Sequence, residues 1–271
     1  MSTGTATWST PAQRLGVSRV AGAARDSMAV AWRNLIHLRR VPQLLVFSTI
    51  QPVIFVLMFR YVFGGAIDTG PIPYVDYLMP GIFVQTCVFG AMGTAVGLAA
   101  DLKTGLLERF HALPMARSAV LAGRTGADLF RNVFVVALMS AVGFAVGFRV
   151  HTDAMAFLGG MLLVLLFAYS LSWVFATLGL VVGDPESAQA AAFPVIAPLV
   201  FASSAFVPVS SMPGWLQGFA EHQPVSVTAS AVRDLVLGFP ATSHVIQSVA
   251  WSAGILLVFA PIAVRRYRRA V

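Results

Sequence analysis

Long apolar runs alternate with short polar ones along this chain. Stretches at approximately 41–63, 77–100, 126–148, 156–182, 186–207 and 244–264 are each apolar enough to cross a hydrocarbon core, which takes about 20 helical residues. Between the second and third lies DLKTGLLERFHALPMARSAVLAGR, from Asp101 to Arg124, in which Leu102, Leu106, Phe110 and Leu113 recur at helical spacing. That stripe predicts an amphipathic helix ending at Pro114, with the third span beginning from about Ser118. Ahead of the first span, Met28, Trp32, Leu35 and Ile36 share one face, which reads as an interfacial helix over 24–40 or, alternatively, as an early turn of the first span. Residues 1–20, rich in Ser, Thr, Ala and Gly, read as a disordered cytoplasmic tail.

The segment from Pro208 to Ser243 is more polar. Pro213 is placed to open a short helix burying Trp215 and Phe219, and Val225 to Leu237 fits a second. Both are too short and polar to span and are expected as re-entrant or interfacial helices of the outer leaflet. The pattern therefore predicts an all-α integral membrane protein: six transmembrane helices, an N-terminal interfacial helix and short re-entrant outer helices, with 21–271 forming one transmembrane domain. A hydrophobic content of 58% against 11% charged residues agrees, because a water-soluble core of this size cannot hide that apolar excess.

Charge sets the expected orientation. Arginines cluster in the N-terminal tail, in the loop with Lys103, Arg109, Arg117, Arg124 and Arg131, and in the C-terminal tail with Arg265, Arg266, Arg268 and Arg269. Threading six spans puts all three clusters on one side, so both termini are expected in the cytoplasm and the protein in the plasma membrane as a multi-pass subunit. The opposite side carries Asp68 and Asp76, with Arg149 and Arg233 isolated; the acidic turn Gly183–Glu186 runs against the bias and is outvoted. No apolar run precedes Val41, which argues against a cleavable signal peptide and leaves targeting to the first span. The net charge of +7 does not point to nucleic acid, since the arginines flank apolar spans where they meet anionic lipid headgroups.

Candidate chemistry is sparse. Lys103 is followed by Thr104, but Leu102 stands where a phosphate-binding loop needs glycine, so this chain lacks the motif for ATP hydrolysis. Neither a G-x-S-x-G elbow nor an H-E-x-x-H helix occurs. Glu108 and His111 form one E-x-x-H pair without the second copy that a carboxylate metal site requires, and the lone cysteine, Cys87, allows neither an internal disulfide nor a thiolate cluster. Asp128 and Arg131, three apart, read as a structural ion pair at headgroup level, Arg60 as a snorkelling cation, and Glu221 and His222 as local hydrogen-bonding groups. Gly93 with Gly97 and Gly143 with Gly147 form GxxxG pairs suited to close helix contact.

Three stretches carry a resemblance: LLERFHALPMARSAVLAGR after the second span, SSAFVPVSSMPGWLQGFAEHQPVSVTASAVRDL before the sixth, and YVFGGAI ending the first. Together they resemble the ABC-2 type transporter permeases, in the branch of the daunorubicin/doxorubicin-resistance permeases. The resemblance implies a half-transporter that pairs with a second permease copy or paralogue and with two copies of a separate ATP-binding subunit. ATP and Mg would be bound by that partner, with no cofactor in this chain. It further implies a coupling helix contacting the ATPase through Leu106, Leu107, Glu108, Arg109, Phe110, His111, Leu113 and Pro114. The expected cargo is an amphipathic or lipophilic compound, drug-like or antibiotic-like, moved outward; the alternative is a lipid, glycolipid or polyketide-lipid. An integral membrane enzyme acting on lipid is a third class, for which no catalytic constellation is found, and the substrate-binding residues are unknown at this level.

Overall fold

The structure is a computed structural model that describes residues 42–105 and 117–270. The N-terminal tail, the interfacial helix over 24–40 and the eight coupling residues Leu106 to Pro114 lie outside the described residues. The rest is helical: α1 Pro42–Leu57, α2 Tyr74–Lys103, α3 Arg117–Ala145, α4 Ala154–Val182, α5 Pro185–Phe201, α6 Gly214–His222, α7 Pro224–Leu237 and α8 Thr242–Ala270. Among the described residues, α2, the Gly123–Ala145 part of α3, α4 and α8 are long and apolar enough to cross a membrane, and Ile50–Phe63 is a shorter apolar helix.

Helix α1 widens into a π-helical turn over Met58–Phe63. Gly64 follows it, where a Cβ would stand 2.3 Å from the Arg60 carbonyl oxygen. The core is built around α2, whose side chains are buried almost without interruption from Tyr74 to Val88. Helix α4 runs parallel to it, and at Gly179 the two backbones come so close that a Cβ would lie 2.4 Å from the Ala95 carbonyl oxygen. A phenylalanine stack joins α1 to the end of α5: Phe59 lies 4.5 Å from Phe206, centroid to centroid, with Phe55 and Phe201 each 6.0 Å from that ring. Helix α8 packs along α4 and turns Ile246, Trp251, Leu257 and Val258 outward, where lipid is their natural solvent.

The turn after α4 shows why two helices meet there. Gly183 adopts a left-handed φ of 71°, ending α4, and Asp184 accepts from the Ser187 amide as N-cap of α5, with Pro185 in the first turn.

Two expectations change. The stretch 186–207 is not one continuous helix: α5 stops at Phe201, and Ala202–Val207 is irregular backbone buried against α2 and α7. Such backbone is tolerated in an apolar bundle only where neighbours satisfy its polar groups, and they do so here. Trp215 is also not buried; it is 82% exposed and Phe219 48% exposed, while Ala220 is the buried residue of α6. The inner position is taken by α7, buried from Val225 to Arg233 except at Ser230, so α6 is left on the rim with its aromatics outward.

Candidate functional site

Helix α2 ends in a turn that directs the chain toward the loop carrying the expected coupling residues. The Thr104 hydroxyl and amide both bond the Ala100 carbonyl, and Gly105 has a left-handed φ of 66°. That conformation ends α2, so the stripe expected from Leu102 onward is interrupted at Gly105. Leu102 instead packs on a cluster of Leu98, Leu121, Trp173, Leu180 and Tyr267 that binds the ends of α2, α4 and α8 to the start of α3. The chain re-enters as α3 at Arg117, beside the end it left.

Below this loop α2 and α3 are joined by a polar seam. Arg124 pairs with Asp101; the Thr94 hydroxyl donates to Asp128 at 2.6 Å; Arg131 donates to the Gly90 carbonyl at 2.6 Å and lies 3.8 Å from Asp128. The glycines of α2 make room for it. A Cβ on Gly97 would overlap the Arg124 guanidinium, and Cβ atoms on Gly93 and Gly90 would stand 3.0 Å and 3.2 Å from that of Arg131. Gly93 and Gly97 therefore hold arginine side chains rather than a second helix backbone. The Gly143–Gly147 pair does not form either: the helix ends at Ala145, Gly147 has a φ of 102°, and Gly143 faces the Met79 side chain.

Asp128 and Arg131 do face each other, three residues apart on α3. Arg131 lies about 20 Å along α3 from Arg117 at 1.5 Å per residue, near the middle of the helix and only 15% exposed. At the loop end, Lys103 bonds Asp184 at 2.7 Å, tying α2 to the α4–α5 turn. The Lys103 ammonium and the Ser187 amide and hydroxyl hold the Asp184 carboxyl down at about 2. Arg265, Arg266 and Arg268 are exposed on the last turns of α8, beside buried Tyr267 at this same end.

The opposite end carries a second polar cluster, around the irregular backbone after α5. Arg233, counted as an isolated cation in the sequence, is 7% exposed; its guanidinium lies 3.7 Å from the Tyr77 ring centroid and donates to the Tyr77 and Ser204 carbonyls. The Tyr77 hydroxyl also bonds the Ser204 carbonyl, and Tyr74 bonds that of Phe206. Gln223 caps α7 through Oε1 and donates through Nε2 to the Leu199 carbonyl at 2.8 Å and that of Ala202 at 3.3 Å. Gln223→Ala is expected to lower stability by about 1–3 kcal/mol, since buried carbonyls lose their donor; a thermal melt in detergent measures it. Nearby, buried Asp76 accepts from the Arg149 amide and His151, and Asp234 bonds His244. Glu221 and His222 are exposed, with the His222 Nδ1 3.0 Å from the Gly218 carbonyl. No cluster of three or more His, Cys, Asp or Glu suited to a metal occurs among the described residues.

Helices α2 and α3 thus form a hairpin of two long apolar helices, joined near its base by the polar seam. Comparison with known proteins gives its family. Residues 26–237 match the family model of the ABC-2 type transporter. The chain belongs to that family. This ABC-2 permease is 35% identical to the daunorubicin resistance ABC transporter permease protein DrrB1 of Streptomyces coeruleorubidus, over 92% of this chain and 88% of that protein. It is 27% identical to the doxorubicin resistance ABC transporter permease protein DrrB of Mycobacterium tuberculosis, over 74% of this chain and 71% of the relative. To the inner membrane transport permease YadH of Escherichia coli it is 24% identical, over 84% and 88% of the two chains. As an ABC-2 permease it is a membrane subunit of an ABC transporter, and the family works with an ABC ATP-binding subunit.

Proposed function

We propose that this permease is half of the membrane part of an ATP-driven exporter. It crosses the plasma membrane six times with both termini in the cytoplasm, pairs with a second permease copy or paralogue, and is driven by two copies of a separate ATP-binding subunit that holds ATP and Mg. The cargo is an amphipathic or lipophilic drug-like compound moved outward. The supporting observation is the 35% identity, over nearly the whole chain, to a permease named for daunorubicin resistance.

The loop residues supply the contact. Leu106, Leu107, Phe110 and Leu113 offer apolar anchors for a groove in the ATPase, Glu108, Arg109 and His111 offer charge and hydrogen bonds at its rim, and Pro114 closes the segment. Their placement between α2 and α3 suits this role, because those two helices reach from the loop to the far end of the bundle. A lipid or polyketide-lipid cargo would use the same architecture.

Co-expression of the chain with its ATP-binding subunit tests the reading. The wild-type pair is expected to co-purify and to lower daunorubicin accumulation in cells. Phe110→Ala or Glu108→Lys is expected to reduce the co-purified ATPase about tenfold, the change that goes with losing about 1.4 kcal/mol of contact energy. Undiminished pairing in both variants overturns the coupling assignment; pairing without any change in daunorubicin accumulation overturns the drug cargo and leaves the lipid cargo.

A further inference from the structure

The seam between α2 and α3 asks for an explanation that membrane insertion does not provide. Two arginines and two aspartates are placed in the facing sides of two apolar helices, at a desolvation cost, where leucine and alanine would pack without one. Gly97 of α2 leaves the space that the Arg124 guanidinium fills, and Gly90 and Gly93 lie close against that of Arg131. The bonds are spread along the hairpin at the levels of Asp101–Arg124, Thr94–Asp128 and Gly90–Arg131, so three successive stretches of the helix pair are clamped. An apolar interface in lipid resists sliding weakly, because neighbouring side chains and lipid tails are equivalent solvents. Directional bonds between a guanidinium and a carboxylate or carbonyl fix the helices in one register.

We infer that Arg124, Asp128 and Arg131 are positioning residues for energy coupling: they lock α2 and α3 into one lever, so that displacement of the 104–116 loop by the ATPase reaches the far end of the bundle. The inference rests on the coupling role proposed for that loop. The lever has a load at each end. On the loop side it is tied by Lys103 to the α4–α5 turn. On the far side α2 carries Asp76, Tyr74 and Tyr77, which hold the 149–151 segment and the irregular backbone after α5. With the seam broken, α2 and α3 slide past each other, and the push is absorbed within the hairpin.

The test uses the full chain in complex with its ATP-binding subunit, in nanodiscs, with hydrogen–deuterium exchange followed by mass spectrometry, in the absence of nucleotide and after trapping with ATP and vanadate. In the wild type, trapping is expected to change exchange both at the 104–116 loop and at the far-end segments 64–73 and 202–213, by about threefold or more. In Arg124→Asp the response near the loop is expected to remain and the far-end response to fall to less than about a third, and the charge-swapped double variant Asp101→Arg with Arg124→Asp is expected to restore it. A merely structural pair would not separate the two responses. Asp128→Asn and Arg131→Lys, gentler changes at the other two levels, give the same reading should Arg124→Asp fail to assemble.

A far-end response that persists in the single variants, or that the swap does not restore, overturns the lever, as does a wild type that responds only at the loop. A wild type that responds at neither place overturns the loop's coupling role itself, which keeps the two failures apart.

Discussion

Gly81→Ala is expected to destabilise the folded protein by about 3 kcal/mol, near the upper end of the usual cost of overpacking. The added Cβ would lie 1.9 Å from the Ala205 carbonyl oxygen and 2.6 Å from its Cα. These are backbone atoms, held by the Ala205 amide on the Ser203 hydroxyl and by the neighbouring Ser204 bonds to Ser226, Tyr77 and Arg233, so they cannot rotate away. Relief requires moving the whole segment after α5 away from α2, which breaks those bonds together. Gly254→Ala supplies the opposite sign: nothing lies within 4 Å of its added Cβ, and a helical alanine gains up to about 1 kcal/mol over glycine. Thermal melts of the two purified variants in one detergent measure the contrast. Equal melting temperatures would mean that α2 and the 202–206 segment do not approach as described.

Arg233→Ala is the second large effect, a loss of about 2–4 kcal/mol from two charge-assisted hydrogen bonds and a stacked cation, reduced by release of the buried charge. Arg233→Lys is expected to recover only a minor part. An ammonium cannot lie flat on the Tyr77 ring while reaching two carbonyls, which the planar guanidinium does. Tyr77→Phe, which removes only one donor to the shared Ser204 carbonyl, should cost about 1 kcal/mol. Equal losses for Arg233→Ala and Tyr77→Phe would show that the guanidinium contributes nothing beyond filling space.

The sequence made the helical architecture legible because the bundle is apolar and its helix ends carry turn chemistry. Gly183, Asp184 and Pro185 spell a stop, a cap and a start, and Pro213 and Pro224 mark the two short helices. What escaped has a common cause: hydropathy reports how apolar a segment is and says nothing about what it faces. FASSAFVP is apolar enough to continue α5, yet it unwinds, and its serines were the available signal, since each supplies a bond that regular helix would have made redundant. Gly93 and Gly97 advertised a missing Cβ without saying that a guanidinium fills the space. Arg233 sits on a short polar-looking helix, where a charge ordinarily marks the solvent face, and only the packing of α7 beneath the rim reveals it as buried. Trp215 failed in the reverse direction, because an aromatic on an amphipathic helix looks the same whether it faces a core or a headgroup layer.

Helix α2 also carries Pro80, between Tyr77 and Gly81. A proline there removes the amide that would bond the Asp76 carbonyl, so this turn is the one place where the rod lacks an internal tie. It is the same turn that Arg233 and the Ser204–Ala205 backbone clasp from outside, through the Tyr77 carbonyl and hydroxyl and against Gly81. Stiffness along α2 is thus divided in kind: intrinsic and reinforced by ionic bonds from Gly90 to Asp101, borrowed from neighbours around Pro80. With those neighbours loosened, Pro80 would be the weak point of the rod.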